Sequence, residues 1–321
     1  MKRMSRKSFI ALLIAVVLIG AFAVGFLIIS QRKHGEYSST PEEQGQNPPQ
    51  PVLAPVLSAY LYELNGYWTR DSGSDLPIYV TNLTYGVRNA GNGDAESVTV
   101  VLKVDGGTYS EQTVSLLRPY EGYTNSFSLM VLYDNSKKID LYASCMGSSD
   151  STELTIYATL PRHFDSDFCK LFITPNEVNV VQTKNQILSG KFPLIPNWVA
   201  LRDWVGNSIT YQYDSNVHGV SEYWQLPKET LQLRTGDCED YAILLCSLLR
   251  ADGWSPNDVY VVLGKNSNNE YHAWVKINLG VLGWYNIEPQ QNGWSTLIGD
   301  FLSLSGYEAI CYFNDSQYHT T

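Results

Sequence analysis

The sequence has few basic residues. It contains 22 Lys and Arg against 32 Asp and Glu, and six of the basic residues lie at or before Lys33, whereas every acidic residue follows it. The chain beyond Lys33 therefore carries a large negative charge, which argues against nucleic acid as a partner. A solvated acidic surface explains this charge more simply than an acidic binding site does.

Cysteine and histidine are also scarce, with five of each. No Cys and His spacing typical of a metal site is present, so the sequence does not predict zinc. An odd number of cysteines in a protein outside the cytoplasm indicates one reactive thiol left over from pairing. Cys145 and Cys169 lie near a predicted domain junction and are one candidate disulfide, although spacing alone does not determine connectivity. We expect Cys246 to be an inert core thiol.

The longest apolar stretch is near the start of the chain. Residues 9–29 are uncharged and apolar, and about 20 such residues cross a bilayer. We therefore interpret residues 1–33 as a membrane anchor that contacts the lipid bilayer through residues 9–29. Four basic residues before the stretch and two after it predict a cytoplasmic N-terminus, with the rest of the chain extracellular. A cleaved signal peptide, with its cleavage site at residues 21–23, is the alternative.

Three further segments follow the predicted anchor. Residues 34–55 are rich in Ser, Glu, Gln and Pro, a composition that predicts a flexible, solvated stalk. Residues 56–160 show short alternating runs separated by turn residues, which predicts a β-sandwich with a weak resemblance to the immunoglobulin-like modules of prokaryotic surface proteins. It carries no visible catalytic constellation, so a spacer or adhesion module is the favoured interpretation. Residues 161–321 mix helical and strand patterns and are predicted to be α+β.

A buried helix is predicted to begin next to Cys238. Apolar residues recur at helical spacing along one face, at Tyr241, Leu244, Leu245, Leu248 and Leu249. Thr235 to Asp237 supply capping oxygens and a turn, and Gly253 follows as a stop signal. Cys238 precedes the apolar stripe, at a helix N-terminus whose free N–H groups favour a thiolate, although neighbouring acids oppose this. We therefore expect a nucleophile at this position.

Two predicted strands carry the groups that a nucleophilic cysteine requires. Alternation places His272 and Trp274 on one face of the first strand, and the second strand ends near Glu288. If the register of the hairpin is even, with Trp274 opposite Glu288, His272 becomes a diagonal neighbour of the carboxylate. Glu288 would then orient an imidazole that takes the proton of Cys238. The sequence alone leaves the register open.

Four spaced motifs carry a resemblance to a known family. They are residues 226–231 (LPKETL), 236–242 (GDCEDYA), 272–274 (HAW) and 284–289 (WYNIEP). Together they resemble the transglutaminase-like superfamily of papain-type cysteine enzymes, especially its prokaryotic cysteine-peptidase-like branch. The resemblance implies a helix packed on an antiparallel sheet, with Cys238 as nucleophile and His272 as base. Glu288 takes the place usually held by Asp, which lengthens the acidic arm by one methylene.

The expected function is that of a surface-anchored cysteine enzyme acting on amides of a protein or peptide substrate. Water as the acceptor would make it a peptidase or deamidase and an amine a transglutaminase, and the sequence leaves this choice open. A non-catalytic protein that binds peptide or wall polymer is the alternative. Oxyanion donors are expected at the start of the helix, with Gln232 as a candidate side chain.

The same region holds further candidate residues. Tyr223, Trp224 and Trp274 are candidates for a substrate groove, with core packing as the competing interpretation. No resident cofactor is expected. Asp237, Glu239 and Asp240 are candidate Ca²⁺ ligands, as similar acids are in some relatives, but helix capping explains them more simply.

Overall fold

A computed structural model describes residues 52–291 and 306–321. The predicted membrane anchor, and the predicted stalk as far as residue 51, lie outside the described residues. Within the two described ranges, every helix is too short or too polar to cross a bilayer.

Residues 57–158 form seven antiparallel strands in two sheets, ordered β1-β2-β5 and β4-β3-β6-β7. The bounds are β1 Leu57–Arg70, β2 Pro77–Asn89, β3 Ala95–Val104, β4 Gly107–Leu117, β5 Gly122–Leu132, β6 Asn135–Cys145 and β7 Ser148–Ala158. Alternate apolar residues of both sheets, such as Leu83 and Leu141, are fully buried between them. The predicted β-sandwich is thus confirmed, and period-two alternation is its physical origin.

The C-terminal part places helices over a five-stranded antiparallel sheet, ordered β12-β11-β10-β13-β14. The helices are α1 Val178–Gly190, α2 Asn197–Ser208, α3 Asp214–Val217, α4 Pro227–Leu233 and α5 Cys238–Ala251, with short 3₁₀ turns at Cys169–Phe172 and Gly280–Leu282. The strands are β10 Val259–Lys265, β11 Tyr271–Asn278, β12 Trp284–Ile287, β13 Glu308–Phe313 and β14 Tyr318–Thr320, and β8 Thr210–Tyr211 pairs in parallel with β9 Thr235–Gly236. This is the predicted α+β architecture.

Helix α5 is the centre of this domain. Its residues from Glu239 to Leu249 are all buried, and it packs against β10, β11, α1, α2 and α4. The sheet on one side and the helices on the other exclude water from every face of this apolar helix. The burial of its apolar surface fixes its position. The first residue of α5 is therefore held rigidly at the end of the core.

The two domains share packing at their junction. Leu76 and Leu160, at the end of the sandwich, belong to the core of the C-terminal domain, and Trp68 contacts both cores. Arg70 of β1 donates from Nη1 to the carbonyl of Ile173 at 2.8 Å. The sandwich is therefore packed against the C-terminal domain in residues 52–321, which form one compact unit.

Candidate active site

Cys238 is the first residue of α5, and the N-terminus before it is tightly built. Asp237 is the N-cap, and its own N–H donates to the Asp240 carboxylate at 3.3 Å, which completes a capping box. A Cβ at Gly236 would meet Cβ of Asp240 at 2.6 Å, so glycine is required where the chain enters the helix. The local sequence thereby orients Cys238 before any catalytic group is considered.

His272 and Glu288 come together through the β11–β12 hairpin. Val275 is opposite Ile287, and continuing this register by one residue sets Trp274 opposite Glu288, with His272 on the diagonal. Nε2 of His272 lies 2.8 Å from Oε2 of Glu288, and only 4% of Glu288 is exposed. The carboxylate accepts from Nε2–H, so the other ring nitrogen, Nδ1, is available as a proton acceptor.

Cys238 and His272 line one open cavity of about 490 Å³. Aromatic side chains and three acids form much of its wall: Phe164, Tyr211, Tyr213, Trp224, Tyr271, Glu222, Asp237 and Glu239. The remaining lining residues are Leu263, Gly264, Ala273, Ile310 and Cys311. Apart from His272, the described lining contains no basic side chain. The predicted nucleophile and base therefore share a concave site whose described lining is acidic.

The environment of the thiol differs from the expectation of a stabilised thiolate. Sγ of Cys238 donates to Oε2 of Glu239 at 3.2 Å. Burial, followed by the charges of Glu239 and Asp237, raises the pKa of the Cys238 thiol far above its ordinary value. Desolvation and two adjacent carboxylates thus outweigh the helix terminus, and the thiol is protonated in this state. Cys246 is fully buried, as expected of a core thiol, and all five cysteines are free, so Cys145 and Cys169 form no bridge.

The structure brings only one of the four tentative groove and oxyanion residues to the cavity. Trp224 lines it, whereas Gln232 is exposed on α4 and is not part of the lining, because the end of that short helix faces solvent. Tyr223 instead stacks on His218, with ring centroids 3.9 Å apart. Trp274 is 2% exposed and donates from Nε1 to Asn286 at 3.2 Å. Tyr223, Trp274 and Gln232 are therefore not among the residues that line the cavity.

Tyr211 is a site residue that the sequence did not single out. It lies opposite Gly236 in the short parallel pair of β8 and β9, and it lines the cavity beside Cys238. Burial, followed by the neighbouring Cys238 and Asp237, raises the pKa of its phenol, so the hydroxyl keeps its proton. A strand of two residues has no measurable periodicity, and no sequence signal marked it.

The acids around Cys238 form a cluster that capping does not explain. Ligand oxygens of Asp214, Glu222 and Glu239 lie within 4.8 Å of one another, as do those of Asp214, Asp237 and Asp240. Burial, then the charge of Asp237, raises the pKa of Asp214 to about 6. Oδ1 of Asp237 and Oε1 of Glu239 are buried without a donor. Asp237 and Asp240 cap the helix, but Asp214, Glu222 and Glu239 do not. The close approach of these carboxylates favours shared protons or a cation.

Comparison with known proteins places both domains in families. Residues 181–289 match the family model of the transglutaminase-like superfamily, and residues 76–154 match the CARDB model. A UPF0252 protein of Methanocaldococcus jannaschii is 33% identical over 142 residues, which are 40% of this chain and 39% of that protein. The chain thus spans about two fifths of the length of this relative.

Two solved structures each match part of the chain. Calcium-bound LapG of Legionella pneumophila is 17% identical with a TM-score of 0.34, over 44% of this chain and 75% of that one. The CARDB domain of a Pyrococcus furiosus protein is 15% identical with a TM-score of 0.27, over 34% of this chain and all of that one. On the two family matches, the chain combines a CARDB β-sandwich with a domain of the transglutaminase-like superfamily, as the motifs around Cys238 and His272 indicated.

Proposed function

We propose that the protein is a cysteine enzyme that cleaves or transfers amides through Cys238, His272 and Glu288. The observation that carries the proposal is the 2.8 Å contact between Nε2 of His272 and Oε2 of the buried Glu288, with His272 lining the same cavity as a helix-terminal cysteine. The cysteine begins α5, the histidine lies on β11 and the carboxylate follows directly after β12, and the first two line one opening to solvent. A structural role would not require this convergence.

The chemistry follows from the protonation states. Nδ1 of His272 takes the proton of the Cys238 thiol as Sγ attacks the carbonyl carbon of the substrate amide. The imidazolium, stabilised by Glu288, then gives that proton to the leaving nitrogen as the C–N bond breaks, and an acyl-enzyme remains. Water or a primary amine, deprotonated by His272, attacks the thioester and releases Cys238 as the thiol. The thiol must leave its hydrogen bond to Glu239 for the first step to occur.

The charge that develops on the substrate carbonyl oxygen needs donors. The N–H of Cys238 is at the unpaired N-terminus of α5, where backbone groups point outward. The hydroxyl of Tyr211 is a second donor at the cavity, and it stays protonated because its pKa is raised. We assign the oxyanion role to these two groups in place of Gln232.

We also propose that the acid cluster binds Ca²⁺. The donor set is entirely carboxylate oxygen, which suits a hard cation. The buried Oε1 of Glu239 has no hydrogen-bond donor, and only 6% of this residue is exposed. Asp214, Asp237 and Glu239 would hold the ion, which would supply positive charge next to Cys238. This role goes beyond the capping that the sequence suggested.

We further propose that residues 1–33 anchor the protein in the membrane and hold the site outside the cell, where a protein or peptide is the substrate. The length and charge pattern of residues 9–29 support this. Protease added to intact cells should then release a fragment that begins within residues 34–55, because that segment is polar and rich in proline. Failure to release any fragment, while a cell-surface control protein is cleaved, would contradict the orientation.

The test of the enzymatic proposal is turnover of a peptide library by the full-length protein in detergent, with and without a primary amine. Cys238→Ala and His272→Ala should each remove essentially all product, because members of a triad act as a unit. Cys145→Ala, which removes a partly exposed thiol of the sandwich, is the matched control and should retain full activity. Undiminished turnover in Cys238→Ala would overturn the mechanism, and peptide binding without turnover in any form would favour a binding protein.

A further inference from the structure

The backbone that carries Trp224 to the cavity is held on both sides of that residue. The N–H of Tyr223 donates to the carboxylate of Asp214 at 2.5 Å. The N–H of Gln225 donates to Oδ1 of Asp240 at 2.8 Å. Both acceptors belong to the acid cluster beside Cys238. The position of this part of the wall is therefore tied to the helix that bears the nucleophile.

Arg162 holds the backbone of Trp224, while the indole Nε1–H donates to Glu222 at 2.7 Å. The N–H of Trp224 donates to the carbonyl of Arg162 at 3.0 Å, and Nη1 of Arg162 donates back to the carbonyl of Trp224 at 3.1 Å. The guanidinium also makes a two-pronged contact with Glu229 at 2.7 and 2.9 Å. Glu229 in turn accepts from the N–H of Leu226 at 2.7 Å. Arg162 thus fixes both the tryptophan backbone and the start of α4.

The other side of the same guanidinium belongs to the sandwich. Nη2 of Arg162 donates to Oδ2 of Asp134, in the turn between β5 and β6, and the guanidinium lies over the ring of Tyr133 at 5.6 Å. Asp134 is itself held, because its N–H donates to Ala158 at 2.6 Å and its Oδ1 accepts from Leu160 at 3.1 Å. The arginine side chain is only 9% exposed. One buried cation therefore joins a sandwich turn to the wall of the cavity.

We propose that Asp134 and Arg162 are positioning residues, through which the CARDB domain sets the position of Trp224 in the cavity wall. The sandwich then helps to set the geometry of the site and is not the spacer that its sequence suggests. Without Asp134, the buried guanidinium keeps only Glu229 as a counter-ion and moves towards it. The Trp224 backbone, which is hydrogen-bonded to this guanidinium, moves with it. The wall loosens while α5 stays in place.

The chain offers a matched control in Asp105. This residue also occupies a sandwich turn with a positive φ, of 49° against 54° for Asp134. It likewise accepts a backbone N–H, from Lys138 at 3.0 Å, and pairs with a cation, Lys137, at 2.5 Å. It differs in having no contact with the arginine at the junction. Asp→Gly at either position removes the carboxylate without straining a residue at positive φ.

The first measurement does not depend on turnover. In native-state hydrogen exchange, Asp134→Gly should speed exchange of the amides at 223–225 by about fivefold or more, because a charge-assisted hydrogen bond supports them. Asp105→Gly should leave them unchanged, and neither variant should alter the core amides of α5. Asp134→Asn, which keeps an acceptor oxygen, should restore most of the protection. Equal exchange at 223–225 in Asp134→Gly and Asp105→Gly would overturn the proposal.

The second measurement rests on the proposed function. If the cavity wall that includes Trp224 binds the peptide substrate, Asp134→Gly should raise KM roughly tenfold with little change in kcat, because the triad is intact. Asp105→Gly should leave both constants unchanged. A fall in kcat with unchanged KM would overturn the assignment to the wall. If no form turns over peptide, the enzymatic proposal fails, and the exchange experiment still decides the coupling.

Discussion

Nε2 of His272 lies 2.8 Å from Oε2 of Glu288, although the two residues are 16 positions apart and only His272 belongs to a strand. The second carboxylate oxygen accepts from the N–H of Gln290 at 3.4 Å. Both oxygens of this buried carboxylate therefore have a hydrogen-bond partner, one in the imidazole ring and one in the backbone. This arrangement fixes the imidazole tautomer and leaves Nδ1 as the acceptor of a proton.

Substitutions of Glu288 should separate orientation from binding. Glu288→Gln keeps the size and an acceptor but loses the charge that stabilises the imidazolium, so kcat should fall by roughly 10²- to 10⁴-fold with KM little changed. Glu288→Asp keeps the charge on an arm shorter by one methylene and should lose less. Steady-state kinetics on the two variants measure this order. A raised KM with normal kcat in Glu288→Gln would show that the carboxylate binds substrate instead.

Alkylation should distinguish the cysteines by access. Cys238 opens to the cavity, whereas Cys246 is fully buried, so iodoacetamide should label Cys238 at least about tenfold faster in the native protein. Labelled peptides are quantified by mass spectrometry. Cys169 is also buried and does not line the cavity, so it provides an internal reference that should label slowly. Equal slow labelling of Cys238 and Cys246 would contradict an accessible nucleophile.

Tyr211→Phe should test the oxyanion assignment. The substitution removes one hydroxyl and keeps the ring, so kcat should fall by roughly 10²- to 10³-fold if the hydroxyl stabilises the developing charge. Tyr213→Phe is the matched control, because Tyr213 also lines the cavity and its ring packs against Tyr211 with 5.4 Å between centroids. Equal and small effects of both substitutions would leave the backbone N–H of Cys238 as the principal donor.

Calcium should stabilise the native state. At a concentration one hundred times its Kd, a ligand that binds only the folded protein adds about 2.7 kcal/mol, which corresponds to a rise in Tm of roughly 5–10 °C. Chelation with EGTA should reverse the shift. Asp214→Asn keeps an acceptor for the N–H of Tyr223 but loses the charge, and it should abolish most of the effect.

The control for calcium is Asp94→Asn, which neutralises an exposed acid of the sandwich and should respond to calcium as the wild type does. A Tm that is insensitive to calcium in the wild type would remove the metal from the proposal. The proposed acyl-enzyme mechanism would then depend on the triad alone.

Several features of this protein follow from local sequence. Alternating apolar residues specified the strands of the sandwich, and the stripe from Tyr241 to Leu249 specified the buried helix, because burial of one face imposes a period on the chain. The position of Cys238 ahead of that stripe followed from the same reasoning. The spacing of the four motifs was enough to identify the superfamily.

Contacts between distant segments were decided only by tertiary structure. An even register between β11 and β12 was needed for His272 to meet Glu288, but a slip of one residue leaves the sequence pattern unchanged and reverses every side chain. Tyr211 and Asp214 reach the site from short elements without periodicity. Arg162 donates hydrogen bonds to both Asp134 and the backbone of Trp224, and no local sequence pattern relates these three residues. Packing of α5 between sheet and helices selects these contacts, since it determines which distant groups are buried together.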